Sequence, residues 1–219
     1  MASVTRKARA GQDAAVGRHD LSMMRAIAEL SAKGHSFTEV SVEQLARQAG
    51  ISRATFYLHY RDKGALVEKL ALCLSDQILS VTDHWVRYSG LANWADTHNA
   101  MRLVVETWEE NATIFGLLIE TSIYDERVRT LYLSLKAEIA KNSARVIAGA
   151  RATGVLHPDC SDEFATILVE TVERSCYAFS SAPGRKRAPW LIGTLTHLCW
   201  SSIYHPDIVP DKTAPISRG

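Results

Sequence analysis

Apolar residues recur along most of this chain at intervals of three and four, the spacing of one face of an α-helix. From His19 onward, Leu21, Met24, Ile27 and Ala28 make one stripe, which Gly34 ends. Ser41 is placed to cap a second, short helix: Val42, Leu45, Ala46 and Ala49 follow at i, i+3, i+4 and i+7, and Gly50 stops it. Ser52 opens a third helix, roughly Arg53 to Tyr60, and Asp62 a longer fourth whose stripe is Val67, Leu70, Ala71, Leu74 and Ile78. Five more are predicted over about 94–111, 112–121, 125–153, 162–181 and 188–204, parted by breakers such as Gly154, His157-Pro158-Asp159 and Ala182-Pro183-Gly184. No run alternates with period two, so strands are not supported. The pattern predicts an all-α fold of about nine helices, with a small N-terminal helical unit ahead of a larger C-terminal helical bundle.

The segment Ser41 to Tyr60 carries the chemistry. An eight-residue amphipathic helix is not stable alone and needs a partner at once. Gly50 permits the left-handed backbone that turns the chain, Ile51 plugs the angle between two helices, and Ser52 offers its oxygen to the free N–H groups of the next one. Phe56 and Tyr60, four apart, hold that second helix on a core. Arg53, Ala54, Thr55, Tyr57, Leu58 and His59 are left for its outer face or margins. Several of these are donors suited to phosphate oxygens or base edges. This is the layout of a helix-turn-helix whose recognition helix enters a major groove by its N-terminal end. A plain helical hairpin has the same pattern, and that alternative makes the chain a helical small-molecule-binding protein or enzyme.

Charge is uneven along the chain. Its 219 residues hold 25 Lys and Arg against 24 Asp and Glu, a net of +1, which by itself says nothing about nucleic acid. Residues 1–70, however, hold 11 basic and 7 acidic side chains, and the remainder 14 and 17. A first third at +4 fits a phosphate contact at that end. The arm, residues 1–17, is small, polar and basic, with Arg6, Lys7 and Arg9, and is expected to be flexible. The four cysteines are scattered without a C-x-x-C pair, so neither a disulfide framework nor a metal site is expected. No apolar leader opens the chain and its most apolar stretch, Trp190 to Tyr204, is short of the ~20 residues of a membrane span. The expectation is a cytoplasmic protein with no cofactor and no membrane partner.

Residues 42–66, Val-Glu-Gln-Leu-Ala-Arg-Gln-Ala-Gly-Ile-Ser-Arg-Ala-Thr-Phe-Tyr-Leu-His-Tyr-Arg-Asp-Lys-Gly-Ala-Leu, closely resemble the signature of TetR-family transcriptional regulators. The likeness covers residues 19–66, and the chain's length and helical content agree with it. Val172-Glu-Arg174 through Trp200-Ser-Ser-Ile-Tyr204 is similar to the EthR-like branch of those repressors. The resemblance implies that Ser41 and Thr55 donate to phosphates, that Arg53 and Ala54 reach base edges, that Tyr57 and His59 contact the DNA backbone, and that Lys63 meets a phosphate at a helix N-terminus. With Ser52, and with Leu58 against a thymine methyl, these make up the expected DNA-binding set. Gly64 departs from the family, which commonly has Glu there, and costs about 1 kcal/mol of helix propensity relative to Ala.

The resemblance also implies an effector pocket in the C-terminal part. Its candidate lining is Trp108, Phe115, Asn142, Ser143, Val169, Val172 and Trp200, with Glu170, Glu173 and Arg174 as polar groups nearby. Mostly apolar walls suggest a neutral, lipophilic effector. The last two helices are apolar on more than one face. With the family's four-helix interface in mind, this implies a homodimer through residues about 162–204. The expected partners are therefore double-stranded operator DNA, a small effector and a second copy. The expected domains are 1–17, the arm; 18–65, helix-turn-helix; 66–205, ligand binding and dimerisation; and 206–219, a loose tail. No catalytic motif is present: His84 beside Asp83, and His157 near Asp159 and Cys160, are only sequence neighbours, and His197 reads as a core residue. The chain is not expected to be an enzyme.

Overall fold

The computed structural model describes residues 17–81, 83–180, 189–213 and 215–216. The basic arm up to residue 16 and the basic run Arg185-Lys186-Arg187 lie outside them. Among the described residues there are ten α-helices and no strand. They are α1 (Arg18–Ala32), α2 (Val42–Gln48), α3 (Arg53–His59), α4 (Lys63–Ser80), α5 (Asp83–Tyr88), α6 (Trp94–Glu110), α7 (Ala112–Ser122), α8 (Glu126–Ala152), α9 (Phe164–Ser180) and α10 (Pro189–Ile203). A 3-10 turn, Ser89–Leu91, follows α5. The all-α class holds, and the helix that the periodicity missed is α5, which at six residues is too short to show a repeat. None of the helices is long and apolar enough to cross a membrane, among the described residues.

Two compact units result, one ending at Cys73 and the other beginning at Leu74. The division falls inside α4, later than the boundary at 65/66 that the motif suggests. Leu66, Val67 and Leu70 of α4 are buried, and they belong to the first unit. Its core also holds Met23, Ala26, Ile27, Phe37, Val40, Leu45, Ala46, Phe56 and Tyr60.

The buried face of α1 differs from the expected stripe. Leu21 and Ala28 are exposed, whereas Asp20, Met23, Ala26 and Ile27 face inward. The cause is polar. Asp20 is 1% exposed and accepts from the Tyr60 hydroxyl at 2.5 Å, from the Gly17 N–H at 2.9 Å, and from Lys69 Nζ at 3.0 Å. One carboxylate thus joins the start of α1, the end of α3 and the middle of α4. Burial pushes the Asp20 carboxyl up, but Tyr60, the Gly17 amide and Lys69 outweigh it and hold it below the ordinary carboxylate value. The same pairing, with burial, raises Tyr60.

In the second unit, α9 packs on α8 and α10 on α6 around Trp85, Met101, Val105, Trp108, Val146, Leu168, Leu195 and Cys199. Cys199 is wholly buried and its thiol is pushed up to about 12 by that burial. The end of α10 is tied to the turn after α8: His157 N–H donates to Ile203 O and His205 N–H to Val155 O, both at 2.8 Å. The tail is less loose than its prolines suggest, since Ile208 packs on the core and Asn93 Nδ2 donates to Pro215 O at 3.0 Å. His197, read as a core residue, is exposed on α10.

Candidate nucleic-acid interface and ligand cavity

Local rules build the turn between α2 and α3. Ser41 Oγ accepts from Gln44 N at 3.1 Å while Gln44 Oε1 accepts from Ser41 N at 2.8 Å, a reciprocal cap that starts α2. At the other end Gly50 takes φ +72°, and the N–H groups of Gly50 and Ile51 return to Arg47 O and Ala46 O at 3.1 and 3.0 Å. A Cβ there would be strained, which is why the turn carries glycine. Ser52 Oγ then accepts from Thr55 N at 3.0 Å and lies 2.9 Å from Thr55 Oγ1.

Helix α3 is sorted by face as its spacing predicts. Phe56 and Tyr60 are buried with ring centroids 5.2 Å apart. Ser52, Arg53, Ala54, Tyr57, Leu58 and His59 are exposed and Thr55 is half-buried. The Arg53 guanidinium lies 5.6 Å from the Tyr57 ring centroid, which stiffens its stem. Leu58 is 81% exposed, the most exposed large apolar side chain among the described residues of this unit. A leucine held in water on the face that also carries polar side chains is an apolar contact awaiting a surface. The His59 ring rests 4.3 Å from that of His19 on α1.

Lys63 makes its contacts within its own domain. Its Nζ donates to the carbonyls of Phe37 at 2.6 Å, Val40 at 2.8 Å and Thr38 at 3.1 Å, and sits 4.7 Å from the Phe37 ring centroid. An ammonium has three N–H donors, so the one expected at a phosphate is used inside the domain, fastening the α1–α2 connection to the start of α4. Replacing Lys63 with Met is expected to cost about 2 kcal/mol of stability, the order of hydrogen bonds to a charged donor. The same variant, folded, should leave the slope of log affinity against log salt for DNA unchanged. A slope lower by about 0.9 would restore the phosphate contact.

The second unit contains a cavity of about 110 Å³. Trp108, Phe115, Ser143, Val169 and Val172 line it, as expected, together with Trp85, Met101, Leu118, Leu135 and Leu168. Trp108 and Phe115 stack with centroids 4.0 Å apart and planes 17° from parallel. Two expected lining residues are elsewhere. Asn142 points its amide at Leu79 O, 3.4 Å away, and Trp200 packs between Trp94 and Tyr204 at 5.4 and 4.7 Å. The periodicity of α8 puts Asn142 one position, about 100°, off the cavity-facing Ser143.

The pattern also missed the polar wall. Tyr132 and Lys136, one turn apart on α8, meet Glu170 and Glu173 of α9. Glu170 and Glu173 are among the polar groups the sequence places near the pocket, but their partners Tyr132 and Lys136 are marked only by their i, i+4 spacing. Burial opposes the charge of Lys136, but the two glutamates outweigh it and raise its pKa. Burial and the bond to Glu173 raise Tyr132. No cluster of His, Cys, Asp and Glu suited to a metal occurs among the described residues.

Residues 24–70 match the family model for bacterial regulatory proteins of the tetR family. MftR of Mycobacterium tuberculosis H37Rv, a candidate mycofactocin biosynthesis transcriptional regulator, is 28% identical over 127 residues, 52% of this chain. The match spans 59% of that curated relative's length. Among solved structures, a tetR-family regulatory protein from Rhodococcus RHA1 superposes with TM-score 0.69 at 13% identity, over 87% of this chain and 100% of the other. The FadR repressor of Thermus thermophilus, solved with lauroyl-CoA, gives TM-score 0.52 at 18% identity, over 90% and 98%. At such identities these two likenesses speak for the fold.

Proposed function

We propose, from the premise that this chain is a TetR-family transcriptional regulator, that it is a ligand-responsive homodimeric repressor of a pseudo-palindromic operator. The observation that carries the reading is the sorting of α3, where Phe56 and Tyr60 go inward and Arg53, Ala54, Tyr57, Leu58 and His59 stay in water. A seven-residue helix that keeps a guanidinium, a phenol, an imidazole and a leucine outside is shaped to meet an edge rather than to fill a core. In this reading Ser41, Ser52 and Thr55 hold phosphates, Arg53 reads a base, and Ala54 and Leu58 lie against thymine methyls. Lys63 supports them from behind.

The cavity receives the effector. An effector releases DNA only if it binds better to the state whose two reading heads do not fit the operator. In the bound state those heads sit ~34 Å apart or a multiple of it, one helical turn each. FadR of Thermus thermophilus, with its lauroyl-CoA, is a repressor with a ligand on the same fold.

An electrophoretic shift with the DNA upstream of the protein's own gene tests this, with random DNA as control. A sequence-selective, salt-sensitive shift is the expected result, and no such shift would favour a helical binding protein with a structural hairpin. Arg53→Ala is expected to cost about 1–3 kcal/mol on operator DNA and to relax preference at one base position. Equal loss on operator and random DNA would remove Arg53 from base reading.

A further inference from the structure

The cavity of the second unit is walled mostly by apolar side chains; its polar lining is Thr107, Ser143 and the cluster where Tyr132, Lys136 and Glu173 stand together. Three carboxylate oxygens surround the Lys136 ammonium: Glu170 Oε1 at 2.6 Å, Glu170 Oε2 at 2.7 Å and Glu173 Oε2 at 2.8 Å. Its three donors are therefore used within the protein. The Tyr132 hydroxyl gives its proton to Glu173 Oε1. A carboxylate or phosphate entering here meets a cation with no donor left for it, and two carboxylates against that one ammonium. What this cluster offers is acceptor capacity, in the remaining lone pairs of Glu173 and of the Tyr132 oxygen, while Thr107 and Ser143 add neutral hydroxyls and no charge. Trp85 also borders the cavity; its indole N–H lacks an acceptor in good geometry, and its polar neighbour is the Tyr204 hydroxyl, which is not part of the wall.

Size and shape add a second constraint. A cavity of about 110 Å³ is smaller than the engineered apolar cavity of roughly 150 Å³ that holds benzene, so it encloses no more than about one ring. The stacked Trp108–Phe115 pair gives a flat aromatic side to lie against.

We infer that the effector cavity selects a monocyclic aromatic molecule bearing one hydrogen-bond donor and no negative charge, with its ring by Trp108 and Phe115 and its donor on Glu173. The inference rests on reading this cavity as the effector site.

The test is calorimetric titration of the full chain, without DNA, with p-cresol, toluene, benzoate and lauroyl-CoA. The expected result is p-cresol binding roughly tenfold or more tighter than toluene, the worth of one good buried hydrogen bond, with benzoate and lauroyl-CoA weaker than p-cresol. Glu173→Leu, which leaves no acceptor at this position, should bring p-cresol down to the level of toluene while toluene binds as before, which also reports an intact cavity. Equal affinity for p-cresol and toluene, no saturable binding of either, or tighter binding of benzoate or lauroyl-CoA would overturn it. Operator release is scored separately. If p-cresol binds selectively without releasing DNA, the reading of this cavity as the effector site fails and the selectivity stands; if an acid binds better and releases DNA, the reverse holds.

Discussion

Asp20→Asn is expected to lower the stability of the helix-turn-helix unit by about 3 kcal/mol, the scale of charge-assisted hydrogen bonds lost from a buried carboxylate. Most of this comes from the Tyr60 hydroxyl and the Gly17 amide, because the Lys69 side chain is 38% exposed and its attraction is screened. The carboxyl is held lower in the fold than in the unfolded chain. Its contribution is therefore fully present above the ordinary carboxylate pKa, about 3.9, and is lost as pH falls through the folded value. Urea melts at pH 7 and pH 3 check both points. The wild type should lose more stability on acidification than Asp20→Asn does, and an equal acid loss in the two proteins would show that Asp20 is not the group involved. Tyr60→Phe removes one bond of the same network, so its effect should not add to that of Asp20→Asn.

A second large effect is expected at the outward faces of α9 and α10. Ile167 is 56% exposed, Trp190 54% and Phe179 37%, with the Phe179 and Trp190 rings 5.0 Å apart edge to face. Beside Trp190, the exposed positions Gly193, Thr194 and His197 continue one side of α10. Apolar groups of this size in water fit the proposed contact with a second copy. The double variant Ile167→Arg, Trp190→Arg should run as a monomer in light scattering with its thermal transition kept, because neither side chain is buried within the chain. Operator affinity should fall by roughly 100-fold, since the two half-sites would no longer be bound jointly. A dimer that persists in this variant would move the interface elsewhere.

Helix positions were legible in the chain wherever apolar spacing ran for two turns or more, as in α6 to α10, and wherever a capping residue marked the start, as with Ser41 and Ser52. The inward and outward faces of α3 followed from the same spacing. The buried face of α1 did not, because a carboxylate outcompeted leucine for the interior, and only its partners on distant helices made that favourable. The intramolecular contacts of Lys63 are hidden from the sequence for a related reason. The carbonyls it meets are on a turn more than twenty residues earlier, and no local pattern announces them. In the cavity, single residues such as Trp108 and Ser143 were within reach of pattern and likeness. The Tyr132–Glu173–Lys136 wall was not, because it exists only once α8 and α9 are side by side.

The division of the chain after Cys73 decides where this molecule can be cut. A fragment ending at residue 65, at the edge of the recognisable motif, would lack Leu66, Val67 and Leu70 and also the ammonium of Lys69 beside Asp20. Such a piece would be missing one wall of its interior and is expected to remain unfolded, while one ending at Cys73 keeps the wall. Chimeras that graft these DNA-reading residues onto another sensor therefore have their natural seam partway along α4, and a library of fusion points should yield active hybrids only from that seam onward.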